Sequence, residues 1–209
     1  MGSTKQISVI FWDFDGVLMN SNPTRDFGFE RVLHDFPKEQ VEELLAFHRK
    51  NGGLSRYVKF RYFFEEVGGE KTNEGDIRLW AARFSEIMRE LLVDSNLLID
   101  ETLEFVKANQ GKFVMHITSG SDQEELRFLC QELKINDLFA SIHGSPTPKT
   151  ELIRSIIESA RYDKSECVLI GDSRNDWQAA KENGITFIEY NCPEIAELGD
   201  HALKRAFFK

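Results

Sequence analysis

Four short runs of apolar, mostly β-branched residues constrain this chain more than any other feature. They are residues 6–12 (QISVIFW), 112–117 (KFVMHI), 166–170 (ECVLI) and 185–190 (ITFIEY), with a shorter candidate at 140–143. None shows the polar alternation of a strand with one wet face, so each reads as a strand buried on both faces. Helical periodicity fills the gaps, at residues 101–109, 122–133, 150–160 and 176–183. Gly111 and Gly184 stand where helix C-caps belong, each just before a strand. Strand–helix alternation of this kind predicts an α/β fold, a parallel sheet covered on both faces.

One interval breaks the rhythm. Residues 20–95 carry helical periodicity and no convincing strand, and Pro37, Gly52, Gly53, Gly68, Gly69 and Gly75 divide them into about four helices. They interrupt the chain after the first strand. The expected organisation is therefore a core of residues 1–19 and 96–209 with a helical domain of residues 20–95 inserted into it.

Composition narrows the partners. The formal charge is −9, from 26 Lys+Arg against 35 Asp+Glu. An acidic surface repels nucleic acid and anionic lipid, so neither is an expected partner. No apolar run reaches the roughly 18 residues of a membrane span. Three widely spaced cysteines, Cys130, Cys167 and Cys192, give neither a disulfide framework nor a zinc site, and they suit a reducing, cytoplasmic setting. The acids are unevenly spread. Residues 44–64 contain none, while Arg49, Lys50, Arg56, Lys59 and Arg61 all fall inside.

Chemistry gathers at the carboxyl ends of the strands, where open parallel sheets bind ligands. The first strand runs into DFDGVL (residues 13–18), in which Asp13 and Asp15 share a side by the two-residue alternation of extended chain. Two acids so close require a cation between them or one retained proton. Gly16 allows a sharp turn after them. A second strand ends in ITSG (residues 117–120), a small hydroxyl beside glycine ahead of a helix, which suits an anion. Lys149 precedes a helix, against the helix dipole. A third strand ends in GDSRND (residues 171–176), placing Asp172 at the strand end and Asp176 one helical turn on.

In this order, the four segments resemble the four motifs of the haloacid dehalogenase-like hydrolases over the whole chain. The resemblance is strongest to the branch of phosphoglycolate phosphatases and β-phosphoglucomutases, which carry a helical cap where this chain has its insertion. It implies that Asp13 is a nucleophile forming an aspartyl-phosphate, and that Asp15 is an acid–base residue. It implies Mg²⁺ held by Asp13, the Asp15 backbone carbonyl and Asp172, with Asp176 supporting. Ser119, Gly120 and Lys149 would hold the phosphoryl oxygens beside Gly16, and Arg56 and Lys59 on the cap would face the cleft and meet an anionic or polyhydroxylated leaving group. The implied activity is a phosphatase acting on a small phosphorylated metabolite. Asp15 argues for phosphoryl transfer over dehalogenation. A phosphomutase and a silent binding protein of the same fold stay open, as do the substrate and the oligomeric state.

Overall fold

The computed structural model describes residues 6–208. Residues 1–5 and 209, the outer ends of the expected core, lie outside the described residues. Five parallel strands form one sheet: β1 (Val9–Trp12), β2 (Val114–Asp122), β3 (Ser141–Ser145), β4 (Cys167–Gly171) and β5 (Thr186–Glu189), in the order β3-β2-β1-β4-β5. β1 is central, with Val9 opposite Val114 on one side and Cys167 on the other.

Its residues alternate between two packed faces. Ile10 and Trp12 join the layer that includes Leu103 and Val106 of α5 (Asp100–Ala108) and Leu126 and Leu129 of α6 (Gln123–Glu132). Val9 and Phe11 join the layer of Ile153 and Ile157 from α7 (Lys149–Ala160) and Ala179 and Ala180 from α8 (Arg174–Asn183). All four β1 residues are buried, which explains the unbroken apolar run in the sequence.

Gly184 caps α8 in the left-handed conformation, with φ of 69°. Gly111 does not cap α5, contrary to the sequence expectation. That helix ends earlier, at Asn109, whose side-chain amide donates to the Phe105 carbonyl at 2.9 Å. A last short helix, α9 (His201–Phe207), had no clear sequence signal and joins the aromatic packing around Phe105.

Between β1 and α5 lie four helices: α1 (Asn22–Val32), α2 (Lys38–Lys50), α3 (Arg56–Tyr62) and α4 (Glu74–Leu91), with a π-helical turn at Phe63–Val67 continuing α3. Phenylalanines hold them together. Phe29 meets Phe84 at 4.3 Å and Phe60 at 5.5 Å between ring centroids, so the phenylalanine surplus here is packing. The two segments that connect these helices to the sheet run side by side, Asn20 N–H donating to the Leu97 carbonyl at 2.7 Å and Ile99 N–H to that of Leu18 at 3.0 Å. No helix among the described residues is long and apolar enough to cross a membrane.

Candidate active site

Asp13 follows the central strand directly. Its backbone N–H still donates to the Ile170 carbonyl at 2.9 Å, so the ladder fixes the residue before its side chain has a task. Asp172 leaves β4 next door, and Asp176 sits in the first turn of α8. One carboxylate oxygen from each of the three lies within 4.8 Å of the others. Gly16 makes this possible, because a Cβ there would overlap the Asp172 carboxylate.

Lys149, the first residue of α7, projects into this group. Its Nζ contacts Asp13 Oδ1 at 2.8 Å and also pairs with Asp176. Burial works against its charge, but the two carboxylates win and hold its pKa above the ordinary lysine value. Asp176 is committed on both sides. Its Oδ2 accepts from the backbone and hydroxyl of Ser173 in a capping box that starts α8.

Two of the three carboxylates thus pair with one ammonium, and Asp172 has none. Burial first, and Asp176 second, push Asp13 well above the usual carboxylate range, and the same two causes push Asp172 up to about 7. Three hard oxygen donors with uncompensated negative charge suit a small divalent cation, and thiol or imidazole ligands are absent from the group.

Asp15 does not share this site through its side chain. Both acids line the same cavity, as the two-residue alternation predicts, but Asp15 has its own partners. Arg25 Nε donates to its Oδ1 at 2.6 Å, Ser121 Oγ to its Oδ2 at 2.6 Å, and Ser21 also bonds to Oδ1. Burial alone would raise its pKa. Arg25, Ser121 and Ser21 more than reverse that, so Asp15 is held below the ordinary value.

Ser119 and Gly120 follow on β2. Ser119 is buried, its Oγ accepting from the Ser121 N–H at 3.0 Å. A Cβ on Gly120 would collide with the Gly53 carbonyl of the insertion, so glycine there lets the insertion loop approach the sheet. Asn175 Nδ2 donates to that same carbonyl at 3.1 Å.

Asp13, Asp15, Ser119, Gly120, Asp172 and Ser173 line a cavity of about 610 Å³, within the range of small-molecule sites, whereas Gly16, Lys149 and Asp176 stand behind its lining. The insertion supplies its opposite wall, including Arg25, His48, Arg56 and Lys59. Arg56 and Lys59 therefore do reach the cavity, but they differ. Arg56 forks onto Glu125, with Nη2 to Oε1 at 2.8 Å and Nη1 on Oε2, and donates to Ser85 Oγ at 2.7 Å. Its guanidinium also lies 4.7 Å over the Phe84 ring. It is a brace between insertion and core, with its donors engaged in that brace. The Lys59 side chain forms no ion pair among the described residues, and its electrostatic neighbours are Arg25, Asp15, Arg56 and Asp13.

The sequence reading missed Arg25 and Glu125. Glu125 is fully buried, accepting from both arginines. Its setting in a run of acids, QEEL, looks like a solvated helix face. Only tertiary packing reveals otherwise.

Residues 9–190 match the family described as haloacid dehalogenase-like hydrolase. A phosphorylated carbohydrates phosphatase of Thermotoga maritima is 26% identical over 186 residues, covering 86% of this chain and 82% of that protein. A phosphoglycolate phosphatase of Mannheimia succiniciproducens is 25% identical over 203 residues, 90% of each. Among solved structures, β-phosphoglucomutase from Clostridium difficile superposes with a TM-score of 0.72 at 16% identity, covering 93% of this chain and 89% of that one. CbbY from Rhodobacter sphaeroides, in complex with phosphate, gives 0.68 at 16% identity over 90% and 89%. These two likenesses speak for the fold. The family match spans the sheet, the insertion and the carboxylate cluster together, and the chain is an enzyme belonging to the haloacid dehalogenase-like hydrolases.

Proposed function

We propose that the enzyme is a Mg²⁺-dependent phosphatase of small phosphorylated metabolites, in the branch of phosphoglycolate phosphatases and β-phosphoglucomutases. The observation that carries this is the Asp13 carboxylate at the end of the central strand, paired with Lys149 and grouped with Asp172 and Asp176. A carboxylate and a phosphate repel, so attack needs positive charge on both. Lys149 supplies one part. A Mg²⁺ ion held by Asp13 and Asp172, with the Asp15 backbone carbonyl and Asp176 in support, would supply the rest.

The Asp13 carboxylate oxygen attacks phosphorus as the bond to the leaving oxygen breaks, giving an aspartyl-phosphate. Asp15 donates the proton that the leaving oxygen takes up, then accepts one from the water that cleaves the intermediate. Ser119, the Gly120 amide and Lys149 hold the phosphoryl oxygens, with Gly16 leaving room beside them. The Arg25 contact keeps Asp15 in its carboxylate form, which suits the second step. The first step requires that Arg25 move away.

We assign residues 20–95 as a cap that opens over the site, with hinges at Met19–Asn20 and Asp94–Asn96. The paired connecting segments support this, because two adjacent crossings can bend as one. The test is hydrolysis of p-nitrophenyl phosphate with and without Mg²⁺, beside Asp13→Asn. The expected result is turnover that chelation removes and that Asp13→Asn lowers about a thousandfold or more. Turnover that survives the substitution would reject Asp13 as nucleophile.

A further inference from the structure

The cavity has a further wall that neither the cap nor the four motifs supply. Residues 191–195 follow β5, the edge strand, and line the cavity with Asn191, Cys192, Glu194 and Ile195. Asn191 turns the chain there with a left-handed φ of 60°, and its Nδ2 donates to the Gly16 carbonyl at 3.4 Å. An irregular segment beyond an edge strand has no neighbouring strand to bond its backbone, so its N–H groups must be met from elsewhere.

One buried side chain meets this need. Glu189, the last residue of β5, is 3% exposed. Its Oε1 accepts from the Cys192 N–H at 2.7 Å, and its Oε2 pairs with Lys204 Nζ at 2.6 Å. A carboxylate is buried at a cost that such charge-assisted contacts must offset, so both oxygens are committed. Lys204 comes from α9, which is itself fixed to the sheet. The Asp200 N–H donates to the Phe187 carbonyl at 2.9 Å, along the open edge of β5. Phe207 stacks on Phe105 and Phe208 packs on Tyr190, each at 5.1 Å between ring centroids. Gly199 lets the chain pass close by, because a Cβ there would lie 2.8 Å from the Glu189 nitrogen. The C-terminal helix, an ion pair, a buried carboxylate and a cavity wall are therefore joined in series.

We propose that Glu189, held by Lys204, is a positioning residue that fixes residues 191–195 as the core-side wall against which the leaving group rests. It touches no reacting atom. Its effect passes through the Cys192 backbone to the wall, so the C-terminal helix is coupled to substrate binding. The nature of the bound molecule rests on the phosphatase reading, whereas the hold on the wall does not. Cys192 is a native reporter of that hold. Cys130 and Cys167 are buried, and Cys192 is half-buried in the wall itself. Burial first, and its contact with Glu194 next, push its thiol up to about 11, so it reacts slowly while the wall is in place.

Timed labelling with N-ethylmaleimide, read by mass spectrometry, tests the hold without turnover. Lys204→Met is expected to speed the labelling of Cys192 about fivefold or more, with Cys130 and Cys167 still protected. Lys204→Arg keeps the charge and should stay within about twofold of the unmodified enzyme. The same proteins would then be assayed in Mg²⁺ with p-nitrophenyl phosphate and with acetyl phosphate, whose leaving group is small. In Lys204→Met the KM for p-nitrophenyl phosphate should rise about threefold or more, while its kcat and the KM for acetyl phosphate change less than about twofold. Equal Cys192 labelling in Lys204→Met and the unmodified enzyme would overturn the proposal. Equal acceleration at all three cysteines would also overturn it, because the change would then be a general loosening of the fold. Faster Cys192 labelling with both KM values unchanged would reject the wall as a substrate contact. If the unmodified enzyme turns over neither phosphate, the phosphatase reading falls, and the labelling still decides whether Lys204 and Glu189 hold the wall.

Discussion

Two lysines are buried in this active-site region, and their settings are opposite. Lys149 lies at the start of α7 with Asp13 and Asp176 on its ammonium, and its pKa rises. Lys59 lies in α3, where burial first and Arg25 second outweigh the nearby Asp15 and Asp13, and its pKa falls to about 7. Both are about 95% buried, so burial alone cannot separate them. The sign of the company decides. The floor of the cavity has surplus negative charge and waits for a cation. The wall gathers the positive groups Arg25, Arg56 and Lys59 around Asp15 and Glu125.

The largest effect follows from breaking the floor. Lys149→Met leaves Asp13 and Asp176 buried without their shared ammonium, and Asp13 is already displaced upward by burial and by Asp176. Removing one partner of a buried ionic group costs about 3–5 kcal/mol. Urea unfolding without added metal should show that loss, and kcat should fall at least a hundredfold because a donor to the phosphoryl oxygens is gone. Added Mg²⁺ should recover part of the stability by binding only the folded carboxylates. A variant as stable as the parent without metal would mean that the three acids do not need Lys149.

The brace between the two poles comes next. Glu125→Gln keeps the shape but removes the charge that holds Arg25 and Arg56. Two buried guanidiniums then face one neutral amide, and the expected loss is about 2–4 kcal/mol. The same change leaves Asp15 as the remaining anion on Arg25. Michaelis kinetics should therefore show a fall in kcat as well as in stability. If Arg56 and Arg25 only fill space, stability falls and kcat does not.

The floor was legible in the sequence and the brace was not, for a physical reason. Asp13 and Asp172 stand at ends of strands whose apolar runs are unmistakable, Ser119 follows the apolar run of β2, and Asp176 completes a capping box written in four consecutive residues, SRND. Local pattern places them. The acid-free stretch around Arg56 and Lys59 likewise marked the wall, and helix α3 starts at Ser55, its Oγ accepting from Val58 N–H. What the pattern could not separate was Arg56 from Lys59. Their difference depends on Glu125, 69 residues away from Arg56 on another helix. Asp15 shows the same limit. Its spacing from Asp13 places both in one cavity, but the partners of its carboxylate, Arg25 and Ser121, brought in by α1 and β2, are not readable from local pattern.

The smallest predicted effect carries the opposite sign from that at Lys149. Lys59→Met replaces an unpaired buried ammonium by an apolar chain of similar length, so the ligand-free protein should become more stable by about 1–2 kcal/mol near pH 6. The gain should depend on pH in one direction. Lys59 has a folded pKa near 7 and an ordinary value of 10.5. Between those limits the unfolded chain binds more protons than the folded one, so the parent gains stability as pH rises. Below about 7 both states carry the proton and the parent bears the full cost of the buried charge. The difference between the two proteins should therefore be greatest at low pH and close toward pH 10. Arg25, Arg56, Asp13 and Asp15 are common to both chains, so their own contributions cancel to first order. Paired urea titrations across this range would measure the gap. A parent more stable than Lys59→Met at pH 6 would show that Lys59 is satisfied without a ligand, and the contrast between the two lysines would collapse.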